Sequence, residues 1–171
     1  HGILLERMRC RFGVSRLALD WMESYLSKRH QYVKLGRHRS STVECTSGVP
    51  QGSVLGPILF TLYTAPVADV ITSLGVGYHQ YADDTQLFYA LSASEIDASL
   101  TVVEECTHAV KLWFLENDLL LNADKSEVMF VGTSAQLQKT DHIRSVNVAD
   151  AVLPVSKKMK SLGVVLDSHL N

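Results

Sequence analysis

Tyr81-Ala82-Asp83-Asp84 is the stretch that decides how this chain folds and what it can do. Apolar runs flank it, from residue 76 to 81 and from residue 87 to 91. Because Asp is a poor strand former and a good turn former, the pattern predicts two strands with the acids at the turn. Adjacent carboxylates repel each other unless a cation lies nearby, and Mg²⁺ prefers carboxylate and phosphate oxygens. The pair therefore indicates half of a metal site for phosphoryl chemistry, with a solvated surface turn as the alternative.

The length and composition place limits on the class of protein. A chain of 171 residues with 46% hydrophobic residues is one globular domain or part of a larger one. It has no run of about 18 or more apolar residues and no basic-then-apolar leader, so neither a membrane span nor a signal peptide is expected. Its three cysteines form no CxxC pair, which argues against disulfides and zinc and favours an intracellular setting.

Charge is distributed unevenly along the chain. Residues 1–50 carry nine Lys/Arg against four Asp/Glu, residues 51–132 carry two against eleven, and residues 133–171 carry five against three. A basic segment beside an acidic one suits a protein that holds a phosphate backbone near a metal centre. Charge alone fits equally well with the solvated faces of unrelated helices.

Local patterns predict most of the helices and strands. Residues 3–29 show helical spacing with a break at Gly13. Short strands are predicted at 31–35 and 41–45, within a basic cluster that either contacts a phosphate backbone or is a solvated hairpin. The Gly- and Pro-rich loop 48–57 leads into an apolar helix, for which Ser53 is a candidate N-cap and Pro66 a break.

The second half of the chain is less regular. A helix is predicted after Glu95, with Glu104 on its solvated side. Strands are predicted at 127–131 and at 162–166, whereas residues 133–151 fit no clear pattern.

Four motifs in order resemble a reverse transcriptase. They are Pro50-Gln51-Gly52-Ser53-Val54-Leu55-Gly56-Pro57, Tyr81-Ala82-Asp83-Asp84, Asn122 with Lys125, and Leu162-Gly163-Val164. The form of the first motif is similar to that of LINE-type, non-LTR retrotransposon enzymes. Each motif is moderately specific, and the four in this order, over nearly the whole chain, are very specific.

The resemblance implies a fold and a division of the chain. The expected fold is α/β in the loose sense (α+β), the palm of a right-hand polymerase, with an antiparallel sheet and helices packed on one face. Residues 1–50 would form the helix and hairpin between two motifs, 51–132 the palm core, and 133–171 the start of the primer-grip region. The first palm strand is expected to be missing, because the similarity begins after it.

The resemblance also implies roles for individual residues. Asp83 matches the family's metal ligand in the hairpin turn, and Asp84 matches its neighbour, which is usually the lesser ligand. Pro50, Gln51 and Gly52 match a loop that lies against the nascent base pair. Lys125 matches a lysine near the departing pyrophosphate, and Leu162 and Gly163 match a strand that positions the primer. Tyr81, in the hairpin, is an expected substrate-site neighbour whose alternative role is core packing.

RNA-directed DNA synthesis with Mg²⁺, or Mn²⁺, is the activity that the resemblance implies. The expected partners are an RNA template, a DNA primer and deoxynucleoside triphosphates. The family has a further metal-binding Asp upstream of residue 1, and the fingers, the thumb and a possible endonuclease domain lie outside the chain. We therefore expect the isolated chain to be inactive or nearly so. A nucleic-acid-binding module without catalysis and a non-functional retroelement remnant are the alternatives.

Overall fold

The computed structural model describes residues 1–50, 52–92 and 94–170. They form two compact units, one made of residues 1–66 with 81–84 and the other of residues 67–80 with residues from 85 onward. None of the helices in the described ranges combines the length and the apolar character that crossing a membrane requires.

Three helices build the core of the first unit. They are α1 Gly2–Phe12, α2 Leu17–Leu26 and α3 Gly56–Thr64. Gly13 ends α1 in the left-handed region at a φ of 67°, which glycine adopts without steric cost. The predicted helical stretch with its break at Gly13 is therefore confirmed. The buried side chains of this core are contributed by α1, α2 and α3: Leu4, Met8, Leu26 and Leu59.

A long two-stranded arm follows α2. Its strands are β1 Arg29–Gln31, β2 Lys34–Leu35, β3 His38–Arg39 and β4 Val43–Cys45. β1 pairs antiparallel with β4, and β2 pairs antiparallel with β3 across a turn at Gly36. We call residues 29–45 the basic arm.

The loop before α3 is shaped by Ser53 and its neighbours. The Ser53 Oγ accepts a hydrogen bond from the Gly56 backbone N–H at 3.0 Å. The N-cap of α3 (Gly56–Thr64) is nevertheless Leu55, two residues after Ser53, so the prediction of Ser53 as the N-cap is wrong. Pro66 separates α3 from α4 (Val67–Ser73), as its missing N–H and fixed φ dictate.

The second unit is held by one long helix. This helix is α5 Ile96–Glu116. A hairpin of β5 Gly77–Tyr81 and β6 Asp84–Phe88 precedes it, and the turn of this hairpin belongs to the first unit. The elements after it are α6 Ser134–Thr140, β7 Ser145–Val148, β8 Ala151–Pro154, β9 Lys158–Ser161 and β10 Val164–Asp167. The buried core is formed by α4, α5 and the start of the hairpin: Val67, Ile71, Val76, Cys106 and Val110. Burial raises the pKa of the Cys106 thiol, so this cysteine acts as a small apolar side chain.

The mixed helix and strand content agrees with the predicted α/β class, whereas the predicted single sheet does not form in the described ranges. The strands pair two by two into five antiparallel ladders. Each strand has five residues or fewer, and four of the five ladders join strands that are neighbours in the chain. The predicted strand at 127–131 is also wrong, since this stretch makes one isolated parallel bridge between Val128 and Val155.

Candidate metal and nucleotide site

The two acids lie at the tip of a β-hairpin, as the sequence predicts. β5 ends at Tyr81 and β6 begins at Asp84, so Ala82 and Asp83 form the turn. Ala82 has a φ of 53°, and two-residue hairpin turns require such positive φ values. A non-glycine residue in this region is uncommon and stores some backbone strain. The turn leaves Tyr81, Asp83 and Asp84 exposed.

The stem beneath this tip is packed on one side. Tyr78 and Leu87 pack against the buried core of the second unit. On the stem, the Phe88 ring lies directly over Gly77, whose missing Cβ leaves room for it. The His79 and Phe88 rings are 6.3 Å apart. The contacts of Tyr78 and Leu87 hold the stem on the core of the second unit.

The glycine-rich loop belongs to the same compact unit as the acidic turn. Gly52 has a φ of 79°, and a Cβ built on it would meet no atom within 4 Å. The Pro50 carbonyl oxygen accepts a hydrogen bond from the Ser53 N–H at 3.1 Å, which closes the loop on itself. Residues 1–66 and 81–84 form one compact unit, so Pro50, Gly52 and the acidic turn are parts of the same unit. Gln51, also predicted for this site, lies outside the described residues.

The other predicted site residues belong to the second unit. Lys125 ends a one-turn 3-10 helix, Ala123–Lys125, and is exposed. Leu162 and Gly163 are turn residues with φ values of 47° and 87°, so the prediction that they lie in a strand is wrong. Ser161 pairs with Val164 across them, and a two-residue turn with positive φ at both positions is the normal closure of such a hairpin.

The donor chemistry of the acidic turn fits a hard cation. Asp83 and Asp84 offer carboxylate oxygens, the ligands that Mg²⁺ takes in proteins. Among the residues that the structure describes, no group of three or more His, Cys, Asp or Glu side chains is arranged to hold a metal ion. Two carboxylates would leave most of each ion's coordination to water and substrate oxygens.

Sequence reasoning missed two sets of contacts. Three arginine and aromatic pairs lie on the first unit, and an Asp150 cluster lies on the second. Trp21 and Tyr25 are four residues apart on one helix, and this spacing could have predicted that their rings stack. Arg7 with Tyr63, and Asp150 with His108 and Lys111, join positions far apart in the chain, which no local pattern gives.

Comparison with known proteins identifies the class. The family described as reverse transcriptase (RNA-dependent DNA polymerase) matches residues 4–166. The chain therefore belongs to the reverse transcriptase family, and this sequence-based prediction is confirmed.

Its curated relatives come from mobile elements. The chain is 28% identical over 155 residues to the RNA-directed DNA polymerase from mobile element jockey of Drosophila melanogaster, covering 87% of this chain and 16% of the relative. It is 32% identical over 140 residues to the polymerase of the same name in Drosophila funebris, covering 77% and 14%. A probable RNA-directed DNA polymerase from transposon X-element of Drosophila melanogaster is 30% identical over 151 residues, covering 87% and 16%. The chain thus spans about one-sixth of the length of these relatives. No solved structure matches it.

Proposed function

We propose that this chain is the palm part of an RNA-directed DNA polymerase and supplies two carboxylates of its metal centre. The observation that carries the proposal is the exposed Asp83-Asp84 turn, folded into one unit with the Pro50–Gly52 loop, in a chain of the reverse transcriptase family. Residues 51–132 would form the palm core, 1–50 its helix and arm, and 133–171 the start of the primer-grip region. The proposed partners are an RNA template, a DNA primer and deoxynucleoside triphosphates, inside the cell.

The residues of the first unit would have different roles in nucleotidyl transfer. Asp83 would hold the metal, with Asp84 as a weaker ligand. Mg²⁺ held there would supply Lewis-acid chemistry, lowering the pKa of the primer hydroxyl and stabilising the leaving oxygens. The backbone of Gly52, with no side chain in the way, would approach the nascent base pair together with Pro50 and Gln51. Tyr81 ends the strand that leads into the acidic turn.

Two roles are proposed for the second unit. Lys125 would donate a proton or a positive charge to departing pyrophosphate. The Leu162–Gly163 turn would position the primer end. Because two carboxylates hold Mg²⁺ weakly, we also propose that the 171-residue chain alone extends a primer poorly or not at all.

Primer extension on an RNA template with Mg²⁺ tests the proposal, with the chain carried in its parent polymerase. Asp83→Asn should reduce incorporation by about a thousandfold, since metal stabilisation of the transition state is worth several kcal/mol. Gly52→Ala should reduce incorporation by about tenfold or more if the backbone lies against the base pair. Gly48→Ala is the matched control, because Gly48 has a φ of 71° and equally open surroundings.

Three outcomes would count against this proposal. Asp83→Asn that keeps wild-type incorporation would remove the metal role. Equal losses in Gly48→Ala and Gly52→Ala would reduce Gly52 to a turn residue. Clear extension by the isolated chain, abolished by Asp83→Ala, would show that no further carboxylate is needed.

A second candidate is a nucleic-acid-binding module without catalysis. The basic arm favours it, because the cations of the arm are exposed and could bind phosphates without a metal at the acidic turn. Unchanged primer extension in Asp83→Asn, together with salt-sensitive binding, would select this candidate.

A further inference from the structure

The basic arm is exposed along nearly its whole length. Every residue from 30 to 44 is exposed to solvent. The arm carries four Lys or Arg residues against one acid, Glu44. Its strands thus contribute little to the core of the first unit, which is formed by helices.

The register of the arm places like charges opposite each other. Lys34 pairs directly with Arg39 across the β2–β3 ladder. Opposed like charges destabilise a two-stranded ladder. In the described part of the chain, no ion pair involves Lys34, Arg37 or Arg39. An anion bound along this face would offset the repulsion.

Aromatic rings accompany these cations. The Arg39 guanidinium lies 3.5 Å from the centroid of the Tyr32 ring. At the base of the arm, Arg29 lies 5.1 Å from the centroid of the Tyr25 ring. Tyr25 in turn stacks on Trp21, with centroids 5.6 Å apart and planes 14° apart. Trp21 and Tyr32 remain 55% and 47% exposed, so parts of both rings are open to a ligand.

We infer that the basic arm and Trp21 bind single-stranded nucleic acid. Lys34, Arg37 and Arg39 contact its phosphates, and Tyr32 and Trp21 stack on its bases. Cations that follow a backbone, interleaved with rings that take unpaired bases, are the combination that single strands require. A duplex would use the cations and leave the rings without a role, because its bases are already stacked. The binding needs no metal and does not depend on the polymerase chemistry proposed above.

Fluorescence anisotropy of the 171-residue chain with a labelled oligo(dT) of about 20 nucleotides, titrated in EDTA at several KCl concentrations, tests the inference. Lys34→Ser with Arg39→Ser should lower the slope of log K against log salt by roughly 1.4, which corresponds to two phosphate contacts. Tyr32→Ala and Trp21→Ala should each weaken binding by about fivefold or more, with little change in that slope.

Matched controls separate the arm from general charge and from folding. Lys139→Ser with Arg144→Ser removes the same charge at exposed positions in the second unit, and Phe12→Ala removes an exposed ring of the first unit. Neither control should change binding by more than about twofold. Arg37→Ser, at the turn and outside the ladder, removes one charge without altering strand pairing and should lower the slope by roughly 0.7.

Four results would overturn the inference. They are an equal loss in the Lys139 and Arg144 control, full binding by Tyr32→Ala and Trp21→Ala, binding of a DNA duplex as tight as that of the single strand, and binding of polyglutamate as tight as that of the oligonucleotide. The last result would assign the arm to an acidic protein. Because EDTA removes the metal, failure here leaves the proposed polymerase function untouched, and loss of that function leaves this binding in place.

Discussion

Two hairpin turns of this molecule carry aspartates, and they hold them differently. At residues 81–84, Asp83 and Asp84 are exposed, and within the described ranges no hydrogen bond or ion pair ties either side chain. At the β7–β8 turn, Asp150 accepts hydrogen bonds from Lys111 Nζ at 2.7 Å and from His108 Nδ1 at 3.0 Å.

The first residue of each turn is left-handed, whereas the cations around the two turns differ. Ala82 has a φ of 53°, and Ala149 and Asp150 have φ values of 51° and 68°. Lys111 and then His108 hold the pKa of Asp150 below its ordinary value. Asp150, which is paired with cations of the chain, stabilises the fold. Asp83 and Asp84 have no such cations among the described residues and can bind a metal ion from solution. Four experiments test this difference between the two turns.

Metal binding should show the largest difference between the two turns. Mn²⁺ titration of the chain, followed by water-proton relaxation, should show at least about tenfold weaker binding for Asp83→Asn with Asp84→Asn, because carboxylate oxygens are the ligands that such an ion needs. Asp150→Asn should bind Mn²⁺ as wild type does, since its carboxylate is already engaged by Lys111 and His108. Equal weakening in both variants would erase the distinction.

The β7–β8 turn should depend on a hydrogen bond to helix α5. The Thr107 hydroxyl accepts from the buried Ala149 backbone N–H at 3.1 Å. Thr107→Val keeps the shape and leaves this N–H without a partner, so the free energy of unfolding should fall by about 1–3 kcal/mol in urea denaturation. Thr101→Val is the control, because Thr101 is exposed on the same helix and bonds only within it. A loss of similar size in the control would mean that helix propensity, and not docking of the turn, sets the effect.

The acidic hairpin should depend on packing in its stem. A Cβ at Gly77 would come within 2.2 Å of the Phe88 ring. That ring is 58% exposed and can move aside, so Gly77→Ala should cost about 1 kcal/mol in the same assay, at the low end of overpacking costs. In a Phe88→Ala background the cost should largely disappear. A cost that persists there would place its origin in the backbone.

The smallest expected effect is a pH dependence. Because the pKa of Asp150 in the folded chain lies below its ordinary value of 3.8, its ionised form stabilises the fold above about pH 4. This contribution is lost as the pH falls through the folded-state pKa. Asp150→Asn should therefore show a shallower fall in stability with acid than wild type does. Asp141→Asn, at an exposed carboxyl in the same unit, should follow the wild-type curve.

Local chemistry explains what could be predicted of the fold. Gly13 and Pro66 end helices through their own backbone properties, and the acids at 83 and 84 mark a turn through theirs. The prediction failed where a strand partner decides the structure. Leu162-Gly163 reads as part of an apolar strand until Ser161 pairs with Val164 across it.

The candidate site divides in the same way. The turn with Asp83 and the loop with Gly52 could be predicted because each is a continuous motif. Glu104 was expected on a solvated side, but it accepts a hydrogen bond from the Asn147 N–H, more than forty positions along the chain. A contact over this distance depends on tertiary packing, which periodicity does not report.

The core of the first unit has a consequence for synthesis on the ribosome. Its buried side chains end at Leu59, and the half-buried ones that pack on them end at Tyr63. Every apolar partner of this helical cluster has therefore been translated before the codons for Asp83 and Asp84 are read. Domains condense from the N-terminus as the nascent chain emerges. Asp83 and Asp84 therefore leave the ribosome after the apolar residues of this helical cluster, which have had time to pack.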